Sequence, residues 1–353
     1  MIEKYYSGVI EQIYNRIGKE TRNIVMANYS NDFSIENLEV IRRYQSNEDN
    51  VFFAYSEFSY NTLIGAYEPF LDIICNMHRR FIGGSFDDFQ KECGVYYLHR
   101  QVLNSYYETG ECFREETVLL NEVAYERRRM TMAIADMLKR LSEVRPLMIV
   151  INRFQMASKS SIETIKYLID NPCASIGIVL GVNALVKGTD STVEVWDRIV
   201  ESLEDRSAIY YIGSAGSLKN NVKTTNDDEL YITMNFEQSI QEASNIMEFL
   251  DYEQARRGCR IIEHKIKFEN AWIDEKSLRR FYLVYARTSV LLGEMSKAIE
   301  LTNEYKALIP ENDSEHYLSL YYFMKGTCYM YQGKLEKAEG CAKKAYDLSL
   351  IHI

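Results

Sequence analysis

Along residues 1–215 short apolar runs alternate with longer segments whose apolar positions recur at helical spacing. LMIVI follows Pro146 and CASIGIVLGV follows Pro172; both runs are β-branched and too short for a helix, so they read as buried parallel strands. RNIVMANY at 22–29, NVFFAYSEF at 50–58 and SAIYYIGS at 207–214 share that character and bring the expected strands to five. Between them, YERRRMTMAIADMLKRL at 125–141 places Met130, Ile134, Met137, Leu138 and Leu141 on one helical face, and 160–169 and 194–204 repeat the pattern. Strands alternating with helices require right-handed crossovers and a sheet covered on both faces. Residues 1–215 are therefore expected to form an α/β domain, with any ligand crevice at the carboxyl ends of its strands.

After Gly213 the strand pattern stops. SLKNNVKTTNDDE reads as a connection, placed at 216–235, and from 236 to 353 the pattern is helical throughout. Here the chain repeats itself: 283–310 matches 320–350, with Gly293 over Gly333 and Ala298 over Ala338, 40 residues apart. NIMEFLDYEQARRGCRIIEHKIK at 245–267 reads as an earlier, degraded copy with Ala255 in the Ala298 position. Three stacked hairpins are near the minimum for a stable repeat array. The apolar end Leu348–Ile353 lacks a polar capping helix, so the array is expected to be incomplete and to continue, with an output domain as one continuation.

Composition narrows the function classes. With 46% hydrophobic residues, 26% charged residues and 4 prolines in 353, the chain is a folded globular protein with room for a sizeable core. Its formal charge of −10 repels a phosphate backbone, which argues against general nucleic-acid binding. Apolar runs of about five residues fall far short of the ~20 needed to cross a bilayer. The amphipathic N-terminus carries acids and lysines instead of a signal-peptide pattern, so a cytoplasmic protein without membrane contact is expected. The seven cysteines are scattered and read as reduced, buried thiols. Only Cys75 and His78 stand at ligand-like spacing, and with no second pair nearby no metal is expected.

The helical copies resemble tetratricopeptide repeats. A glycine ends the first helix, an alanine five residues later lets the paired helices approach, and a proline closes the unit. Gly293, Ala298 and Pro310 fit in one copy, with Tyr305 where a small residue is usual; Gly326, Tyr329, Gly333, Ala338 and Ala345 fit in the other. In the first domain, RPLMIVINRFQMASKSSIETIKYLI at 145–169 resembles the Walker B region of signal-transducing, AAA-like NTPases, the group that includes the maltose-regulon type of activator. Gln155, Ala157, Ser161 and Leu168 fit, but Asn152 and Arg153 stand where that family has two acids. The first acid would fix Mg²⁺ and the second would polarise the attacking water. After the first strand, Asn28, Asn31 and Phe33 stand for the phosphate-loop glycines, Ser34 for its lysine and Ile35 for its hydroxyl. Tyr67, Pro69, Phe70 and Asp72 match the family segment after the second strand, and Asn183 ends the fourth where a polar sensor would sit. The family's winged-helix segment has no counterpart in the polar stretch before the repeats.

The expected fold is thus a P-loop-NTPase-like α/β domain without catalytic residues, followed by an all-α, tetratricopeptide-like helical region. The resemblance implies a pseudo-ATPase platform in a signalling or transcriptional regulator, binding a protein or peptide partner on its repeats without any cofactor. In such layouts the array leads to an output domain, a DNA-binding helix-turn-helix or a diguanylate cyclase. Two alternatives stay open: a switch that binds ATP weakly without efficient hydrolysis, and an unrecognised transferase whose groups converge from loops. Lesser features have bland readings. Gly213–Ser217 and Gly83–Gly84 read as turns, Arg127–Arg129 as a solvated helix face, and most of the 27 tyrosines as packing residues.

Overall fold

The structure is a computed structural model that describes residues 2–29, 38–46, 50–58, 63–114, 122–183, 186–187, 190–205, 209–212, 223–224, 235–268, 272–310 and 314–349. The chain divides into two compact units, 1–233 and 234–353. Among the described residues no helix is long and apolar enough to cross a membrane.

The first unit is built on strands β1 (Ile24–Tyr29), β2 (Phe52–Glu57), β3 (Leu147–Asn152), β4 (Ile176–Asn183), β5 (Val186–Lys187), β6 (Ile209–Ile212) and β7 (Lys223–Thr224). Five of them form a parallel sheet in the order β2-β3-β4-β1-β6. All five are the strands expected from the apolar runs. Every residue of β3 and β4 is buried, as their unbroken apolar sequences require of strands covered on two faces. The small β5–β7 ladder was not legible in the sequence; Lys223 and Thr224 lie in the stretch read as a connection, yet they pair with Val186 and Lys187.

Helix α1 (Ile2–Arg16) packs on β4, β1 and β6, and α2 (Glu39–Ser46) lies beside it. Between β2 and β3 the chain makes α3 (Phe70–Met77), a π-helical turn (His78–Ile82), α4 (Phe86–Glu92), α5 (Tyr97–Thr109) and α6 (Val123–Val144). Helices α7 (Lys159–Asp170) and α8 (Asp190–Glu204) follow β3 and the β4–β5 segment. The connection from β1 to β2 crosses the sheet one way and the later ones cross it the other, which for right-handed crossovers puts α2 on one face and α3, α6, α7 and α8 on the opposite one. The observed neighbours agree: α3 packs on α6, α6 on α7 and α7 on α8. Gly83 and Gly84, with φ of 68° and 73°, stop the π-helical turn as the turn reading expected.

Contact with α1 is close because β4 carries two glycines on that side. A Cβ on Gly177 would lie 2.8 Å from Ile17 Cδ1 and 2.9 Å from Ile13 Cγ2. A Cβ on Gly181 would lie 2.0 Å from the Tyr6 hydroxyl oxygen and 2.9 Å from Asn152 Oδ1.

The second unit is a series of three helical hairpins: α9 (Phe236–Glu248) with α10 (Tyr252–Phe268), α11 (Glu275–Leu291) with α12 (Met295–Ala307), and α13 (Ser314–Tyr331) with α14 (Leu335–Ser349). Each hairpin packs on the next through α10–α11 and α12–α13, and the leading helices also touch, α9 on α11 and α11 on α13.

Candidate functional site

The carboxyl ends of β1 and β4 are where a ligand is expected. These neighbouring strands pair Tyr29 with Asn183, and the chain leaves them in opposite directions across the sheet. Such a switch point opens a crevice in α/β folds. Here, polar and aromatic side chains of the protein crowd this edge.

The Tyr29 hydroxyl donates to Asn152 Oδ1 at 2.8 Å, reaching from β1 to β3 across β4. Gly181 lies on β4 beneath that bridge, so the missing side chain is what lets it pass. Tyr6 of α1 packs against Tyr29 with ring centroids 6.4 Å apart at 68°, and Tyr6, Tyr29 and Asn152 are all buried. Burial pushes the Tyr6 phenol well above its usual range, and Tyr29, Tyr55 and Glu57 add to the effect. The Asn183 backbone N–H donates to Gln155 Oε1 at 3.2 Å, which ties the end of β4 to the 3-10 turn Phe154–Met156.

At the adjacent edge Arg153 has φ 55° and ψ 38°, a left-handed conformation that costs an ordinary L-residue roughly 1 kcal/mol or more. From there its Nη1 lies 3.0 Å from Glu57 Oε1 and 3.4 Å from the Phe58 carbonyl oxygen. Glu57 Oε2 accepts the Tyr55 hydroxyl, so both carboxylate oxygens are engaged. The Phe58 N–H donates to the Asn152 carbonyl at 3.2 Å and completes the clasp between the ends of β2 and β3. A carboxylate is thus present at this edge, but on β2 and neutralised by the arginine.

The structure brings together Asn152, Arg153 and Asn183, and places Asn28 in β1 opposite Val182 and Tyr211. Asn31, Phe33, Ser34 and Ile35 lie outside the described residues, as does Gly213–Ser217. Tyr6, Tyr29, Glu57 and Gly181 were missed in the sequence; the one available signal was a glycine inside a strand, which marks close approach of a neighbour.

The two segments that carry the NTPase resemblance meet. The Tyr67 N–H donates to Ser160 Oγ at 2.9 Å and the Ser161 hydroxyl to the Glu68 carbonyl at 2.6 Å, fastening the loop before α3 to the first turn of α7. Ser158 caps α7 by accepting from the Ser161 N–H. Glu68 is raised by burial, partly offset by the Gly65 N–H that it accepts at 2.9 Å.

The arginines of α6 are partnered as the solvated-face reading expected only in part. Arg127 lies 3.6 Å from Glu163; Arg129 lies 3.2 Å from Glu126 and 3.9 Å above the Tyr96 ring. Buried His99 has Nε2 3.0 Å from Glu126 Oε2, and burial, with Arg114 and Arg129 nearby, holds its pKa down to about 3. It is neutral at physiological pH. All seven cysteines are unpaired, and burial pushes the Cys75 thiol up to about 12. Among the described residues no group of three or more His, Cys, Asp or Glu side chains is arranged to hold a metal ion.

In the helical unit the repeat positions fall at equivalent places. Gly293 and Gly333 follow α11 and α13 with φ of 77° and 72°, and Leu250 occupies the same point after α9 with φ 66°. The turns share their hydrogen bonds: the N–H groups of Asp251, Glu294 and Lys334 donate to the carbonyls of Ile246, Ser289 and Tyr329. Ala255, Ala298 and Ala338 then donate to Asp251, Glu294 and Lys334. Ala255 and Ala298 are fully buried and Ala345 is buried on α14. Gly326 lets the last hairpin close, since a Cβ there would lie 3.1 Å from Cys341 Cβ. Tyr305, in place of a small residue, is buried and donates to the Tyr317 carbonyl at 3.3 Å. Pro310 follows the end of α12. No protein-family model matches the chain, and no curated protein matches it.

Proposed function

We propose that this chain is a non-catalytic scaffold of a cytoplasmic signalling or transcriptional regulator. In this reading a P-loop-derived α/β unit serves as a rigid platform, and tetratricopeptide-like hairpins take a protein or peptide partner. One bond carries the first half: the buried Tyr29 hydroxyl on Asn152 Oδ1. That oxygen stands where the resemblance would put the carboxylate that holds Mg²⁺, and it is spent on a tyrosine of the same sheet. Arg153 adds a cation where a base would polarise water, and the neighbouring carboxylate of Glu57 is fully engaged. The crevice is held together by the groups that an ATPase would keep available.

The second half is supported by three turns of the same hydrogen-bond pattern, which give the hairpins a common geometry. Helical arrays of this kind bind extended peptides or partner helices along a surface. Calorimetric titration of the full chain with MgATP tests the platform: no heat of binding is expected to about 1 mM nucleotide, a concentration corresponding to about −4 kcal/mol. Low-micromolar, magnesium-dependent binding overturns it in favour of a nucleotide-gated switch. ATP turnover abolished by changing Asn152 or Ser34 overturns it in favour of an enzyme.

A further inference from the structure

The two junctions between successive hairpins carry different charges at equivalent places. A step of 43 residues takes Ala255 of the first hairpin to Ala298 of the second, and a step of 40 takes Ala298 to Ala338 of the third. At the first junction Glu263 of α10 accepts from Lys297 Nζ of α12 at 2.9 Å and from Lys267 Nζ at 2.6 Å. Glu300, one turn along α12, accepts from the same Lys297 at 2.9 Å, and this ammonium lies 5.5 Å from the centre of the Tyr285 ring. One cation is thus held by two carboxylates over an aromatic ring.

At the second junction the lysine is kept and both carboxylates are gone. Lys337 of α14 stands where Lys297 does, Lys306 of α12 replaces Glu263, Gly340 replaces Glu300, and Lys325 of α13 replaces Tyr285. Lys306 and Lys325 share the Tyr321 ring, at 5.4 and 5.1 Å from its centre, and Lys337 lies 5.9 Å from the centre of Tyr329. Lys325 also donates to the Tyr321 hydroxyl at 2.7 Å. None of these three ammonium groups has a carboxylate partner among the described residues, and no acid stands three or four residues from any of them along its helix.

Three helices therefore each bring one cation to a pair of tyrosines on α13, in a chain of net charge −10. Lys325 lies one helical turn from each ring, so the ammonium groups repel one another, and an anion among them relieves the repulsion. The first junction shows which anion the arrangement accommodates: a carboxylate on a flexible side chain. Glu304 and Glu336, close to Lys306 and Lys337 in sequence, keep the cationic stretch short. That suits a few carboxylates and opposes a long, uniform polyanion such as nucleic acid.

We propose that the junction of Lys306, Lys325 and Lys337 binds an acidic peptide segment of a partner protein, one carboxylate of which takes the place that Glu263 fills at the first junction. This gives the partner its chemistry and rests on the reading of the hairpins as partner-binding helices. It is independent of what the α/β unit does with nucleotide.

Fluorescence anisotropy of a labelled hexaglutamate peptide, titrated with the full chain at about 20 mM salt, tests it. Binding with a Kd of roughly 10 to 300 μM is expected, weakened at least about tenfold by about 300 mM salt. Lys325→Gln and Lys337→Gln should each weaken it at least about threefold, whereas Lys276→Gln, the same change at an exposed lysine at the start of α11, should leave it in place. Unaltered circular dichroism would show that these variants remain folded. Lys306→Glu puts the missing carboxylate into the chain itself, so it should abolish peptide binding and raise the melting temperature by about 1 to 4 °C. The melting temperature involves no partner, and it separates the need of this junction for a carboxylate from the presence of a peptide-binding surface. No binding up to about 1 mM peptide overturns the inference and leaves the hairpins open to partners of other chemistry. It is equally overturned by the same loss in Lys276→Gln, by equal affinity for a thymidylate hexamer, or by a Lys306→Glu chain that still binds the peptide or is no more stable.

Discussion

Gly177 and Gly181 have ordinary backbones and a neighbour pressed where a side chain would begin; Gly293 and Gly333 have open space around them and a left-handed backbone. The sheet needs its glycines for room and the helical unit needs its glycines for shape. The difference shows in what can replace them. After α9 the left-handed position is held by Leu250, because a strain of roughly 1 to 2 kcal/mol is offset by burying a leucine side chain, which contributes about 1.5 to 3 kcal/mol. Nothing comparable is open to Gly181, where any Cβ overlaps a tyrosine oxygen.

Gly181→Ala should therefore have the largest effect, about 3 kcal/mol or more of lost stability in the α/β unit by urea unfolding. Adding Tyr6→Phe removes the overlapping oxygen and should recover at least about 1 kcal/mol, leaving Asn152 Oδ1 at 2.9 Å and the ring carbon at 3.1 Å. No recovery would mean that α1 does not hold β4 through this contact. Acidification comes next. His99 is held at about 3 in the folded chain, below its unfolded value of about 6.5. The unfolded chain therefore binds the proton first as pH falls, and stability is lost between about pH 6.5 and 3, by up to about 1.4 kcal/mol per pH unit. His99→Gln should flatten that part of the profile relative to the parent chain. Tyr29→Phe leaves Asn152 Oδ1 without this donor and should cost about 1 to 3 kcal/mol.

The helical unit should respond less. Gly293→Ala and Gly333→Ala meet no neighbour and should cost about 1 kcal/mol each in thermal unfolding, equally in the two hairpins. Unequal costs would show that the turns are not equivalent. Smallest is the gap between Arg153→Gly and Arg153→Ala: both lose the pair with Glu57, but glycine relaxes the backbone, so it should be the more stable by about 1 kcal/mol.

The five strands of the sheet were legible because buried parallel strands write their environment as continuous apolar runs. The repeat was legible for a similar reason, since Gly293 and Gly333 recur with Ala298 and Ala338 at a fixed distance. What escaped was pairing between distant segments. The apolar face of α1 announced a helix without announcing that Tyr6 would rest on Gly181, and nothing near Glu57 pointed to Arg153. The β5–β7 ladder escaped because two-residue strands leave no periodicity to read. Leu250 escaped because left-handed turns are sought at glycine or asparagine. At the candidate site, the absence of an acidic pair after β3 was plain from Asn152 and Arg153, while the buried tyrosines beside Asn152 were not, since a tyrosine in a strand reads as ordinary core.

The placement of β1 between β4 and β6 has a cost during synthesis. β1 ends up inside the sheet, next to its β6 edge, and its partners on either side, β4 and β6, begin only at Ile176 and Ile209. At about 5 to 20 residues per second, the ribosome delivers β4 roughly 8 to 30 s after β1 has left the tunnel. During that interval β1 has two bare edges, so chaperone dependence should concentrate on Ile24–Tyr29.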